Sequence, residues 1–226
     1  MHIASGFLAG LTLVGWADAL AYAYAANAAN NDDKNYILLA ISYLRRAINR
    51  GVKPGSWFTI VRYVVSAGLV SLPFAVYGVS SFSWAIAFAT GVGLILANID
   101  LHARVLPETL TWILLFSGLL WSPIALETTF AIWSALLSGL IVMTVMVLAG
   151  LIKRIDVWSG GDVAFVIAAG AWVGAQNLAL FWVISTSTFV LHCLFDRSEG
   201  LEKPMGPALC AGLLGTIHLH SFFSFV

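Results

Sequence analysis

The chain has 226 residues, of which 60% are hydrophobic and only 10% are charged. This composition excludes an ordinary soluble domain and predicts an integral membrane protein. Eleven basic residues balance eleven acidic ones, so the net charge gives no indication of a nucleic-acid partner, and the positions of the charges are more informative than their sum.

Apolar runs follow one another along most of the chain. Because a membrane-spanning helix needs about 20 apolar residues, these runs predict an all-α, polytopic membrane protein with about eight transmembrane helices. The predicted spans are residues 3–26, 57–79, 84–99, 109–125, 128–152, 163–175, 177–195 and 206–225. We expect a single membrane domain over residues 1–226, without an appended soluble domain.

The sixth run, residues 163–175, is the shortest of the predicted spans. It would also fit a re-entrant segment, or the first part of one long helix that continues through the seventh run. A single long helix would move Arg197 and Lys203 away from the side of the membrane that holds the other basic residues. We therefore predict two helices, with a break at Gln176 and Asn177.

The basic residues lie on one side of the predicted membrane. If the N-terminus is external, that side holds the loops 27–56, 100–108, 153–162 and 196–205. The basic residues in or beside these loops are Lys34, Arg45, Arg46, Arg50, Lys53, Arg62, Arg104, Lys153, Arg154, Arg197 and Lys203. Because Lys and Arg are enriched in cytoplasmic loops, this side is predicted to be cytoplasmic.

The first of these loops, residues 27–56, contains a helical pattern. Ile37, Ile41, Leu44 and Ile48 recur at intervals of three and four residues, which is typical of an interfacial helix on the membrane surface. A plain extension of the first span explains the same pattern, and the sequence leaves both interpretations open.

Two acids lie at the same predicted depth. Asp100 ends the third run and Asp162 opens the sixth, so both are expected at the cytoplasmic edge of the membrane, where an ionisable group is costly and is a candidate functional residue. Two carboxyl groups that lie close together share a proton and hold a water molecule between them. The ionised group then acts as a general base and the protonated group as a general acid, which is the chemistry of an aspartic protease.

Simpler interpretations remain for each acid. Asp is a favoured N-cap residue, and SGGD before an apolar helix is an ordinary capping sequence. Asp100 would also fit a helix end that pairs with His102 or Arg104. The glycines beside Asp162, Gly160 and Gly161, would allow either the close approach of a peptide or an unusual turn.

Three segments occur in the same order as in a known family: IDLHARVLPETLTW, SGGDVAFVIAAGAWVG and KPMGPALCAG. Together they resemble the type IV prepilin peptidases, which are GxGD-type intramembrane aspartic proteases. The resemblance implies that Asp100 and Asp162 are the catalytic pair. It also implies substrate-binding or site-shaping roles for Gly160, Gly161, Pro107, Glu108, Pro204, Gly206 and Pro207.

The chain departs from the family pattern at several places. Ser159 replaces the first glycine of the Gly-x-Gly-Asp motif, Glu108 replaces the usual Asp after Pro107, and Ala164 stands where a Lys is common. The loop 27–56 lacks the two CxxC pairs that many relatives carry. The resemblance therefore implies peptidase activity without a zinc module, and the absence of these cysteines puts the methyltransferase activity of those relatives in doubt.

No metal or cofactor is expected. The two cysteines, Cys193 and Cys210, lie in apolar runs without a CxxC pair and are predicted to be small buried hydrophobic side chains. His192, His218 and His220 do not have the spacing of metal ligands.

Asp18, in the first span, is expected to be protonated or to accept hydrogen bonds from neighbouring helices, and a role in docking the substrate stays open.

The resemblance implies an enzyme of the bacterial inner membrane whose active site faces the cytoplasm. It would cleave the leader peptide from type IV prepilin or pilin-like precursors, with the precursor and membrane lipid as partners and no nucleic acid. The alternative is a transporter or a pilus-assembly scaffold, in which the same acids bind a proton, a cation or a partner helix. The sequence does not indicate the oligomeric state.

Overall fold

The structure, a computed structural model, describes residues 57–125, 127–153, 160–195 and 203–223, together with Ala19 and Ala23. Asp18, the loop 27–56 with its predicted surface helix, and nearly all of the first predicted span lie outside the described residues. The described residues form helices and no strand, which confirms the all-α prediction.

Seven α-helices are present in the described part of the chain. They are α1 (Trp57–Tyr77), α2 (Ser81–Ala103), α3 (Glu108–Trp121), α4 (Thr128–Lys153), α5 (Gly160–Val173), α6 (Leu178–Phe195) and α7 (Gly206–Phe223). They correspond in order to the second to eighth predicted spans. Several boundaries differ by a few residues, because polar caps continue a helix beyond its apolar run: Ser80 Oγ accepts a hydrogen bond from the Ser83 N–H at 3.2 Å.

Three helical stretches are long and apolar enough to cross a membrane: Ser81–Leu101, Thr128–Ile152 and Ala175–Phe195. Helices α3 and α5 have 14 residues each, a length of about 21 Å against a hydrocarbon core of about 30 Å. The chain is therefore a membrane protein, but the described helices do not confirm a total of about eight spans.

The predicted break between the sixth and seventh runs is confirmed. Helix α5 ends at Val173, and a 3₁₀ turn at Ala175–Asn177 precedes α6. The break begins at Gly174, whose backbone angles, φ 72° and ψ 156°, are accessible almost exclusively to glycine. The break begins two residues before the predicted pair Gln176 and Asn177, because Gly174 ends α5.

The chain divides into two compact units, Met1–Arg104 and Val105–Val226. In the first unit, α1 and α2 are joined by a short turn at Gly78. The Ser83 hydroxyl donates a hydrogen bond to the Gly78 carbonyl at 2.6 Å, and the rings of Phe74 and Trp84 pack edge to face at 4.9 Å. The single-domain organisation stays a prediction.

Helix α5 forms the centre of the second unit. Most of its residues are buried, because α3 and α4 pack against it. The Trp172 indole N–H donates to the Leu114 carbonyl of α3 at 2.8 Å, and the Ser138 hydroxyl of α4 donates to the Val166 carbonyl at 2.8 Å. These bonds satisfy polar groups inside an apolar assembly, where an unpaired group is costly.

Small residues allow this close packing. A Cβ placed on Gly170 would lie 2.6 Å from the Ser138 Cβ and 2.7 Å from the Ser134 carbonyl oxygen, so α4 approaches α5 at a position where no side chain fits. Ala168, Ala169 and the other small residues of α5 are also buried. These small residues give α5 a smooth face on which α4 packs closely.

The two cysteines lie in different environments. Cys210 is buried in α7, as predicted, whereas Cys193 is exposed on α6. The prediction for Cys193 was wrong because hydropathy does not distinguish a surface that faces lipid from one that faces protein. The neighbouring Leu194 and Phe195 are 69% and 82% exposed, as expected of a surface that faces lipid.

Candidate active site

Asp100 lies three residues before the end of α2 and is only 5% exposed. Its backbone carbonyl accepts a hydrogen bond from the Arg104 N–H at 2.8 Å, and Arg104 caps the helix in the left-handed conformation, with φ 54°. The helix therefore ends one turn after Asp100. Because a buried carboxylate needs a proton, a partner or hydrogen bonds, its burial makes Asp100 a candidate for functional chemistry.

Asp162 lies in the first turn of α5, which begins at Gly160. It is therefore the third residue of the helix, so Asp162 itself is not the N-cap residue. The positive end of the helix dipole favours a carboxylate at this position. Asp162 is half-buried, between the exposed Gly160 and the buried Val163.

The two glycines before Asp162 differ in their surroundings. Nothing lies within 4 Å of a Cβ placed on Gly160, which is exposed. A Cβ placed on Gly161 would lie 2.9 Å from the Leu106 Cβ and 2.9 Å from the Leu106 carbonyl oxygen. Gly161 does not have a positive φ, so an unusual turn does not explain it. A glycine at position 161 is therefore required for close packing against Leu106, whereas the space beside Gly160 is open.

Pro107 and Glu108 form the start of α3. Pro107 is the N-cap residue, and its carbonyl accepts hydrogen bonds from the N–H groups of Leu110 and Thr111 at 3.1 and 3.2 Å. Glu108 is the first residue of the helix and is exposed, and its carboxylate lies where the helix dipole favours a negative charge. The departure from the family's Asp therefore keeps the acidic character of the helix start.

Helix α7 begins at Gly206 and Pro207, and Pro204 lies two residues before it. The Met205 carbonyl accepts hydrogen bonds from the N–H groups of Ala208 and Leu209, each at 3.0 Å. Pro207 is favoured in this first turn because its missing N–H would have no partner within the helix. This motif sets the helix start, and its role toward a substrate stays a prediction.

The structure brings two of the predicted segments together. Leu106, which directly precedes Pro107 and Glu108, contacts Gly161, which directly precedes Asp162. Sequence reasoning missed Leu106, because a leucine before a proline has no chemical signature of its own. The two acids belong to different compact units, and their catalytic roles stay predictions. No group of three or more potential metal ligands occurs among the residues that the structure describes.

Comparison with known proteins gives a family match. Residues 87–194 match the sequence model of the type IV leader peptidase family. The chain is 29% identical over 147 residues to the type 4 prepilin-like proteins leader peptide-processing enzyme of Escherichia coli. It is 24% identical over 158 residues to the prepilin leader peptidase/N-methyltransferase of Vibrio cholerae.

These matches cover 62% and 65% of this chain, and 54% and 61% of the respective relatives. The chain thus spans little more than half the length of the curated relatives it matches. No solved structure matches it. The matched region contains both Asp100 and Asp162, and the match confirms the resemblance to the type IV leader peptidase family that the sequence motifs indicated.

Proposed function

We propose that this protein is a membrane aspartic endopeptidase that cleaves the leader peptide from type IV prepilin or pilin-like precursors. The observation that carries the proposal is the family match over residues 87–194, which includes both acids and the motifs around them. The two curated relatives are named for the processing of prepilin or prepilin-like leader peptides, and this substrate class is extended here to the present chain.

In the proposed mechanism, Asp100 and Asp162 hold one water molecule between their carboxyl groups. The ionised carboxylate takes a proton from the water, and the protonated carboxyl group donates a hydrogen bond to the scissile carbonyl. The peptide bond breaks without a covalent intermediate, and the proton moves on to the leaving amine. Because the two groups titrate together, the apparent pKa values belong to the pair.

Two local features are consistent with the proposed roles of the two acids. Asp100 is buried near the end of its helix. Leu106 contacts Gly161, next to Asp162. The distribution of basic residues supports an active site at the cytoplasmic side of the bacterial inner membrane, in a multi-pass protein.

A co-expression experiment tests this proposal. A candidate prepilin is produced together with the wild-type protein, with Asp100→Ala or with Asp162→Ala, and its size is followed by immunoblotting. We expect a smaller product with the wild type and unprocessed precursor with both variants. Glu127→Ala, which removes an exposed acid elsewhere in the chain, is the matched control and should process normally. Normal processing by either Asp variant would refute the catalytic assignment.

A further inference from the structure

The contact between Leu106 and Gly161 suggests a way to position Asp162. Leu106 is 3% exposed, and its Cβ and carbonyl oxygen both lie against the position where a side chain on residue 161 would be. Neither atom belongs to the flexible end of a side chain. A substituent at residue 161 would therefore displace the start of α5, and Asp162 is the next residue in that helix.

Leu106 is itself held firmly. It precedes Pro107, whose ring restricts the backbone of the preceding residue to extended conformations. Pro107 is buried and caps α3, and its carbonyl accepts two backbone hydrogen bonds from the first turn of that helix. The backbone at Leu106 is thus fixed to α3.

The other end of α5 is also attached to α3 and the segment that follows it. The Trp172 indole N–H donates to the Leu114 carbonyl at 2.8 Å, and the Ser122 hydroxyl donates to the Trp172 carbonyl at 2.7 Å. A Cβ placed on Gly118 would lie 2.8 Å from the Trp172 ring. Contacts at both ends limit the movement of α5 along its own axis, and with it the movement of Asp162.

We infer that Leu106 is a positioning residue for Asp162, and that its contact with Gly161 sets where the carboxylate lies relative to the reacting groups. This inference rests on the proposed function. On this inference, residue 161 is a glycine because Leu106 occupies the space that a side chain would need. The open space at Gly160 remains available for the substrate peptide.

The first test compares Gly161→Ala with Gly150→Ala. Gly150 is an ideal control because it is a helical glycine of the same compact unit, with nothing within 4 Å of an added Cβ. For Gly161→Ala we expect kcat for prepilin cleavage to fall by about 10- to 100-fold, because catalysis is sensitive to displacements on the order of 1 Å. KM should change little, and the pH dependence of kcat should shift. Gly150→Ala should match the wild type in all three.

A second pair of variants separates positioning from folding. Leu106→Ala keeps the Cβ that contacts Gly161, whereas Leu106→Gly removes it. The amount of folded protein is measured by size-exclusion chromatography in detergent, and each cleavage rate is divided by that amount. A loss of stability then does not lower the reported rate. We expect Leu106→Ala to keep the pH dependence of the wild type, and Leu106→Gly to lower kcat and shift that dependence.

The outcomes distinguish the two levels of the proposal. If Asp162→Asn is inactive but Gly161→Ala and Leu106→Gly cleave with normal kcat and normal pH dependence, the positioning role is wrong and the proposed function stands. If Asp162→Asn cleaves normally, the proposed function itself fails. If Gly161→Ala does not fold, the Leu106 pair decides, and equal kcat values for its two members would overturn the inference.

Discussion

At the scale of single residues, Asp100 and Asp162 lie in different surroundings. Asp162 is not the N-cap residue of its helix, because the helix begins two residues earlier, at Gly160. The burial of Asp100 at 5% exposure has a cost that a surface helix end would avoid. The catalytic roles of these two acids stay predictions.

Buried hydroxyl groups make a prediction at the same scale. Thr216 is fully buried, and its hydroxyl has no hydrogen-bond partner within the part of the chain that the structure describes. Thr216→Val keeps the shape of the side chain and removes the polar group, so it should stabilise the protein by about 1 kcal/mol. The measurement is thermal unfolding in detergent.

Thr90 provides the matched control for this prediction. It is equally buried, but its hydroxyl donates a hydrogen bond to the Ile86 carbonyl at 2.7 Å. Thr90→Val should therefore destabilise the protein, by about 0.5–1.5 kcal/mol. Equal effects of the two substitutions would show that the hydroxyl of Thr216 is satisfied in the folded protein.

At the scale of helices, the buried short helix α5 determines how the second unit is built. Its 14 residues are too few to cross a bilayer alone, but its neighbours supply apolar contacts and hydrogen bonds on its sides. Its small residues give it a narrow profile, and the end of the helix is fixed by the conformation of Gly174.

Gly174→Ala tests the helix boundary. Because the backbone at φ 72° and ψ 156° strains any residue with a Cβ, this substitution should destabilise the protein by about 1–3 kcal/mol. Gly150→Ala, in a regular helical conformation with open space, should be neutral or stabilising by up to about 1 kcal/mol. Thermal unfolding of both variants in the same detergent measures the difference. A Gly174→Ala variant as stable as the wild type would show that α5 and α6 are joined differently.

The sequence predicted these helices well, because in a membrane protein each apolar run corresponds to a helix, and the Gly, Pro and polar residues between runs correspond to turns. It did not predict which helices are short and enclosed, since α5 and the lipid-exposed α6 are similarly apolar. Cys193 was misplaced for this reason. The contact of Leu106 with Gly161 was also out of reach, because it joins residues far apart in the chain through apolar and backbone atoms.

At the scale of the whole molecule, we propose that acids from two helices act as one catalytic unit. The family match covers residues 87–194, so it includes most of α2, all of α3 to α5 and nearly all of α6. Both candidate acids lie within that region, whereas the loop 27–56, which lacks cysteines, lies outside it. Peptidase activity is therefore expected to depend on the matched region.

The most direct test is the single-turnover rate of prepilin cleavage by four purified proteins: the wild type, Asp100→Asn, Asp162→Asn and the double variant. Each single substitution should lower the rate by roughly 10²–10⁴-fold, because it removes one of the two proton-transfer groups. The double variant should be no slower than the slower single variant, since residues that act as a unit have non-additive effects. Near-normal cleavage by either single variant, or a double variant whose loss equals the product of the two single losses, would contradict a catalytic pair.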